Sequence, residues 1–548
     1  MATMETHIPA SATAHVDTFA RDHLPPPGLW PDMDYSGLAE LRYPARLNCA
    51  AELLDRWMER GHGDRTALLW DGGRWTYREL VEQSNRIAGV LRDDLGVVPG
   101  NRVLLRGPNS PIMAACWLGV IKAGAIAVPT MPLLRARELA YVAQKAQVRL
   151  ALTDHRLLAD LADAQAQAPV LERIVTWGDG GNDGLEAMMA RRPAEFTPVD
   201  TAADDVAMIA FTSGTTGRAK GTMHFHRDIL ACCDTFSARV LQPSPDDVFC
   251  GSPPLAFTFG LGGLLLFPLR AGAATLLVEQ PSGPNLLHAI QDHRATVLFT
   301  APTAYRAMLD LVADHDLSSL KKCVSAGETL PLPTFEAWEE ATGIRIIDGI
   351  GSTEMLHIFI GCSGGDIRPG STGRAVPGYR ARIIDENGEE LPPGAVGRLA
   401  VQGPTGCRYL DDPERQQGYV LDGWNLTGDA YRMDEDGYFW YQARTDDMIV
   451  SAGYNIAGPE VETVLLEHPA VLECGVVGLP DTERGQVVSA FVVLRPGHQP
   501  GEEMTRTLQE FVKTHIAPYK YPRRITFVEQ LPRTQTGKLQ RFRLREGA

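Results

Sequence analysis

The stretch VAMIAFTSGTTGRAKGT, residues 206–222, sets an apolar run ending at Phe211 against a loop dense in serine, threonine and glycine. Glycines at 214, 217 and 221 let the backbone turn tightly and present N–H groups. Thr212, Ser213, Thr215 and Thr216 add hydroxyl donors, and Lys220 adds a cation. A strand feeding such a loop can solvate a polyphosphate. A flexible linker shares the composition, but the preceding apolar run and the embedded lysine argue against one. No GxxxxGK[ST] pattern occurs, so the loop is not that of a P-loop NTPase.

Outward from this loop, amphipathic stretches such as 77–95 alternate with short apolar runs at 102–105, 296–300 and 344–347. That alternation predicts an α/β fold, a large N-terminal region of mainly parallel sheets layered with helices. Between Tyr379 and Gln402, two β-like runs flank Asn387-Gly388, a dipeptide suited to a tight hairpin, which predicts a small antiparallel, β-barrel-like subdomain. After Arg444 the chain begins again, with a helix at 459–467, strands at 471–477 and 487–494, and a helix at 502–515. These predict a small α+β C-terminal domain.

The composition sets limits. With 548 residues, 44% hydrophobic and 22% charged, the chain buries a large core and is not disordered. Its 52 basic against 68 acidic residues give a charge of −16, which disfavours nucleic acid or an anionic membrane as a partner. Nine cysteines without a CxxC pair fit a reducing compartment. The N-terminus has neither a basic head nor a hydrophobic run, and no apolar stretch is long enough to span a bilayer. A cytoplasmic protein, monomeric or homodimeric, is expected.

Further segments follow the phosphate loop in order: SAGETLP (325–331), DGIGSTE (348–354), WNLTGD (424–429), ARTDDMIVSAGYNIAGPEVE (443–462) and LPRTQTGKLQR (531–541). Together with the loop they resemble the adenylate-forming superfamily of acyl-CoA ligases, luciferases and peptide-synthetase adenylation domains. The resemblance implies a domain of residues 1–445 that binds ATP and the acid, and a mobile domain of 446–548 hinged at Asp446. It implies ATP and coenzyme A as substrates and Mg²⁺ held by Glu354. It places Thr212, Ser213, Gly214, Thr215, Thr216 and Gly217 on the phosphates, with Lys220, Thr353 and Glu354 acting in catalysis. Gly327, Glu328, Asp348, Gly349 and Ile350 would hold the adenine, although the family usually carries an aromatic residue where Ile350 stands. Asp429, with Arg444, would hold the ribose. Gly453 and Tyr454 would line the pantetheine tunnel, and Lys538 would be the mobile catalytic lysine of the first step.

For the acid, the run 252–267 supplies Phe257, Phe259 and Phe267, apolar rings suited to an aromatic slot. GSTEMLHIF (351–359) resembles the benzoate-CoA ligase family, in which the counterparts of Thr258, Phe259, Phe267 and His357 surround the ring. Ala326, Gly327, Gly351 and Ser352 complete the pocket implied. LNCAAELLDR (47–56) and PPLAFTFGLGG (253–263) look most like the 2-aminobenzoate branch. The expected activity is therefore an ATP-dependent ligation of 2-aminobenzoate or benzoate to CoA through aryl-AMP. The rivals are an adenylating enzyme that loads a carrier protein and a nucleotide-gated sensor without turnover. Two metal readings, an ExxH site at Glu354 to His357 and a zinc site at His224 and His226, lack partner ligands in the sequence.

Overall fold

Thr76 starts the first long helix. Its hydroxyl accepts the Glu79 N–H while the Glu79 carboxylate accepts the Thr76 N–H, a capping box that fixes the helix Tyr77–Gly89. Helical turns continue through Val90–Asp94. Its buried face, Tyr77, Leu80, Ile87 and Ala88, packs on the helix Pro111–Lys122, apolar up to its final lysine. The crossing is close at Gly119, where a Cβ would lie 2.7 Å from Ile87 Cγ2. Lys122, buried at the end of that helix, is paired with Asp55 Oδ1 at 2.9 Å and Asn85 Oδ1 at 2.8 Å, as a buried charge must be.

The computed structural model describes residues 12–212, 219–444, 447–451, 454–481, 484–516, 518–533 and 538–546, with side chains at all of these except 450, 454, 455 and 485. Two large sheets carry the N-terminal domain. One has six strands in the order Arg173–Trp177, Leu150–Asp154, Arg102–Arg106, Ile126–Thr130, Val206–Thr212 and Lys220–Phe225. It is parallel except for the last hairpin, which brackets the phosphate loop. The other has eight strands: Ile358–Gly361, Ile346–Gly351, Lys322–Ala326, Val297–Thr300, Val248–Gly251, Ala274–Leu277, Thr66–Trp70 and Gly73–Thr76. It is parallel between its antiparallel edges. Helices between and outside the sheets fill two cores, a large one that both sheets share and a smaller one on the six-stranded sheet built from Leu104, Val128, Ala151 and Ile209, as expected of strands buried on both faces.

The β-rich subdomain is a five-stranded antiparallel sheet built on Val396–Gln402 and the long strand Trp424–Met433. Gly388, at φ +90°, turns the chain tightly enough that Ile384 bridges Glu390, but the chain then makes a further excursion before Val396 rejoins the ladder. The proline-rich lead-in lies against this region, through Asp32 N to Gly423 O at 2.9 Å and Asp34 N to Gly403 O at 3.0 Å. The C-terminal domain has its own core, in which Val461 and Leu465 of helix Gly458–Glu467 and Leu508 and Val512 of helix Glu502–His515 meet Val476, Val488 and Val492 of the sheet. No helix among the described residues is long and apolar enough to cross a membrane.

Candidate active site

The site lies at the carboxyl ends of the parallel strands, where an open α/β sheet leaves a crevice. Lys322–Ala326 and Ile346–Gly351 are neighbours, with Ser325 opposite Asp348. Burial pushes the Asp348 carboxyl up to about 7, against the opposing pull of the neighbouring Gly349 N–H and Ser325 hydroxyl. Its Oδ1 is buried with no hydrogen-bond partner among the described residues. Such an acceptor suits an amino donor such as that of adenine. Ala326 is buried, and Gly327 turns the chain at φ +92° with open space beside it. Gly349 and Ile350 continue the strand on the same wall.

The strand then folds back at Ser352–Leu356. A Cβ on Gly351 would fall 2.7 Å from the backbone C and O of His357, so only glycine permits this return. The turn is tied down by Met355 N to Ser352 Oγ at 3.1 Å and by Thr405 Oγ1 to Met355 O at 2.8 Å. His224 Nε2 donates to the Thr353 carbonyl at 2.8 Å. His224 is held neutral by burial, which pushes its pKa down to about 4.

Thr212 and Lys220 face each other at the mouth of the phosphate loop. Segment 408–410 runs beside the hairpin, through Met223 N to Arg408 O and Leu410 N to Gly221 O, both at 2.8 Å. Tyr409 thereby joins two charged groups: its hydroxyl donates to Glu354 Oε1 at 2.7 Å, and its ring centroid lies 5.7 Å from Lys220 Nζ. Burial lowers the Lys220 pKa while the charge of Glu354 opposes the shift. Glu354 offers a single carboxylate with one oxygen engaged, the donor set from which Mg²⁺ is held when nucleotide phosphates and water supply the rest.

Across the cleft, Asp429 pairs with Arg444 on the adjacent strand, Oδ1 to Nη1 at 3.2 Å, and Arg444 Nη1 also reaches Thr427 O at 3.0 Å. Burial raises the Asp429 pKa and Arg444 opposes the rise. Lys538 enters the cleft from the C-terminal domain, its Nζ 5.7 Å from the Phe257 ring centroid. The residue keeps an open solvent face, yet protein surrounding the ammonium lowers its pKa, against the pull of Asp429, Glu328 and Glu354. Those three carboxylates belong to the N-terminal domain.

Behind this lies a cluster of rings. His357 has Phe267 edge-on at 4.5 Å, Phe259 and Phe236 at 5.7 Å and Phe299 at 6.4 Å between centroids. A Cβ on Gly262 would collide with the imidazole, 2.2 Å from Cδ2. Thr258 is buried at the start of the same helical run. Burial pushes the His357 pKa down to about 3, and Nε2 makes a long 3.4 Å hydrogen bond to the Phe259 carbonyl. Nδ1 is buried with no partner among the described residues.

The structure thus brings Phe259, Phe267 and His357 together and sends Phe257 to Lys538 instead. Ser213, Gly214, Thr215, Thr216, Gly217, Asp446 and Gly453 lie outside the described residues, and of Tyr454 only the backbone is described. Sequence reasoning missed Phe236, Phe299, Tyr409 and Arg533, and weighed His224 only as a zinc ligand. Tyr409 and Phe236 stand in segments with no phosphate-loop or turn signature, and only the pairing of 408–410 with the hairpin reveals the first of them.

The model of the AMP-binding enzyme family matches residues 54–408, and that of the AMP-binding enzyme C-terminal domain matches 460–538. The benzoate–CoA ligase of Thauera aromatica is 37% identical over 511 residues, covering 92% of this chain and 97% of that protein. A crystal structure of the anthranilate CoA ligase AuaEII in complex with anthranoyl-AMP is similar with a TM-score of 0.89, at 35% identity, over 93% of this chain and 99% of the other. A benzoate CoA ligase from Burkholderia xenovorans LB400 gives a TM-score of 0.83 at 34% identity, over 91% and 100% of the two chains.

Proposed function

The chain belongs to the AMP-binding enzyme family, and from that membership we propose that it joins an aromatic carboxylic acid to CoA in two ATP-driven half-reactions. In the first, a carboxylate oxygen attacks the α-phosphorus of ATP, forming aryl-AMP as pyrophosphate leaves. In the second, the thiol of CoA loses its proton, sulfur attacks the acyl carbon, and AMP leaves. The first step brings two anions together, so its barrier falls where fixed positive charge meets the transition state. Lys538 and Lys220 supply that charge, and Mg²⁺ held by Glu354 and the phosphates would screen the rest. Thr353 would contact the α-phosphate, Asp429 the ribose and Asp348 the adenine amino group. The reading rests above all on one convergence: Lys538, from the C-terminal domain, shares a cleft with Asp429, Glu328 and Glu354 and lies over the Phe257 ring.

The second half-reaction needs Lys538 withdrawn so that the thiol can approach. We assign the pivot to Asp446 and the tunnel for the pantetheine arm to Gly453 and Tyr454, as the resemblance of 443–462 implies.

The ring cluster favours an aromatic acid that carries a donor. His357 is neutral, and with Nε2–H donating to the Phe259 carbonyl its Nδ1 is left as a buried lone pair. An amino or hydroxyl substituent meets that lone pair, and unsubstituted benzoate leaves it unmet. We expect kcat/KM for 2-aminobenzoate to exceed that for benzoate by about tenfold or more, and His357→Phe to erase the difference while retaining turnover of benzoate. Parallel assays of benzoate, 2-aminobenzoate, salicylate and hexanoate test this. A preference for hexanoate would refute the aromatic pocket, and equal rates on the first two acids would refute the role of His357.

The adenine contact has a pH signature. The carboxyl of Asp348, pushed up to about 7 by burial, is neutral below that pH and an ionised acceptor above it. The apparent KM for ATP should therefore fall by about tenfold between pH 6 and pH 8, following the ionised fraction. In Asp348→Asn that component should vanish, leaving only the titration of ATP itself. A pH profile identical in the two proteins would remove Asp348 from the adenine site.

A further inference from the structure

Lys538 adjoins Leu539, which pairs with Arg533, and Gln540 N reaches Pro532 O at 2.9 Å. The residues on either side of 534–537 pack onto their own domain. Leu531, Leu539 and Leu544 pack with Val477, Leu479, Phe491 and Val493, and a Cβ on Gly475 would lie 2.9 Å from Leu539 Cδ2. Whatever orients Arg533 therefore orients Lys538. The Arg533 guanidinium reaches in two directions: Nη2 to Glu473 Oε2 at 2.9 Å, on strand Val471–Asp481 of the small domain, and Nη1 to Glu328 Oε1 at 3.4 Å, on the large domain. Glu328 is mostly covered, at 15% side-chain exposure. The two cations that offset its burial, Arg533 and then Lys538, both come from the small domain.

We propose that Arg533 is a positioning residue, a pin that fixes the small domain in its adenylating orientation by bridging Glu473 to Glu328. The pin acts on the first half-reaction alone. In the adenylating arrangement it sets the depth of Lys538. When the domain pivots, the link between Arg533 and Glu328 breaks and both cations leave that carboxylate together. A contact made in one of two states shifts the population toward that state by its differential strength, and a charge-assisted, partly covered bond is worth about a factor of ten to a hundred. The inference rests on the two-step reading proposed above.

The test separates the half-reactions in Arg533→Met, Arg533→Lys and Glu473→Gln, with the wild type alongside. Acid-dependent exchange of pyrophosphate with ATP reports the first, and thioester formation from pre-made aryl-AMP reports the second. In Arg533→Met the exchange should fall by about tenfold to a hundredfold, while the thioester step stays level or quickens because the transferring orientation is no longer opposed. Arg533→Lys should recover part of the exchange, since it keeps one charged contact. Glu473→Gln, which leaves the interdomain bond in place, should give a smaller loss in the same direction. Parallel losses in both half-reactions, or exchange unchanged in Arg533→Met, would overturn the pin while leaving the ligase reading intact. A wild type that forms thioester from aryl-AMP but exchanges no pyrophosphate would overturn both.

Discussion

Lys538→Ala is expected to lose about 10²- to 10³-fold in formation of aryl-AMP, the size seen when one preorganised transition-state donor is removed. We propose its ammonium as the mobile charge of the site. It enters from the small domain, lies above the Phe257 ring and is drawn toward Asp429, Glu328 and Glu354. With ATP bound, the triphosphate competes for the same ammonium, and the developing negative charge at the α-phosphorus is where it counts most. Thioester formation from pre-made aryl-AMP needs no such charge and should keep most of its rate in the variant. Single-turnover measurement of each half-reaction decides the matter. Comparable losses in both would mean that Lys538 supports the fold of its domain rather than the chemistry.

The second large effect is on stability. Arg408 and Asp228 form an ion pair with both side chains fully buried, Nη1 to Oδ2 at 2.8 Å. The same Asp228 oxygen accepts the Phe225 N–H at the start of helix His226–Cys232, and the guanidinium lies 4.0 Å from the Phe225 ring centroid and 5.2 Å from that of Trp30. The pair ties that helix to segment 408–410 and so to the hairpin that carries Lys220. Arg408→Met would leave a buried carboxylate without its cation, at a cost of about 3–5 kcal/mol. Adding Asp228→Asn should return much of the loss, because the stranded charge is then gone. Urea unfolding followed at the N-terminal domain gives the comparison. A single variant within about 1 kcal/mol of wild type would show that water relieves the pair.

Much of the scaffold was legible because its signals are local. Apolar runs bounded by amphipathic helices mark both sheets, and the strand at 206–212 and the helix at 502–515 appear where their periodicity places them. Glycines and hydroxyl residues at 211–222 made the candidate phosphate loop legible, since glycine there answers a backbone need that a single sequence reveals. What escaped is long-range. Tyr409 reaches Glu354 only because 408–410 lies beside 221–223. Phe236 and Phe299 reach His357 from a helix and a strand far away in the chain. Phe257 reads as one more pocket ring until Lys538, nearly 300 residues on, is seen above it. Arg533 is one of eight basic residues in 520–548, and no motif sets it apart from the others. Its meaning depends on which domain face it meets.

Activation through aryl-AMP carries one of the acid's own oxygens into AMP. Supplying 2-aminobenzoate labelled with ¹⁸O at both carboxyl positions, together with ATP, Mg²⁺ and CoA, tests this by mass spectrometry of the products. One labelled oxygen is expected in AMP and one in the thioester carbonyl, with pyrophosphate unlabelled. Unlabelled AMP, or label appearing in inorganic phosphate alongside ADP, would contradict it.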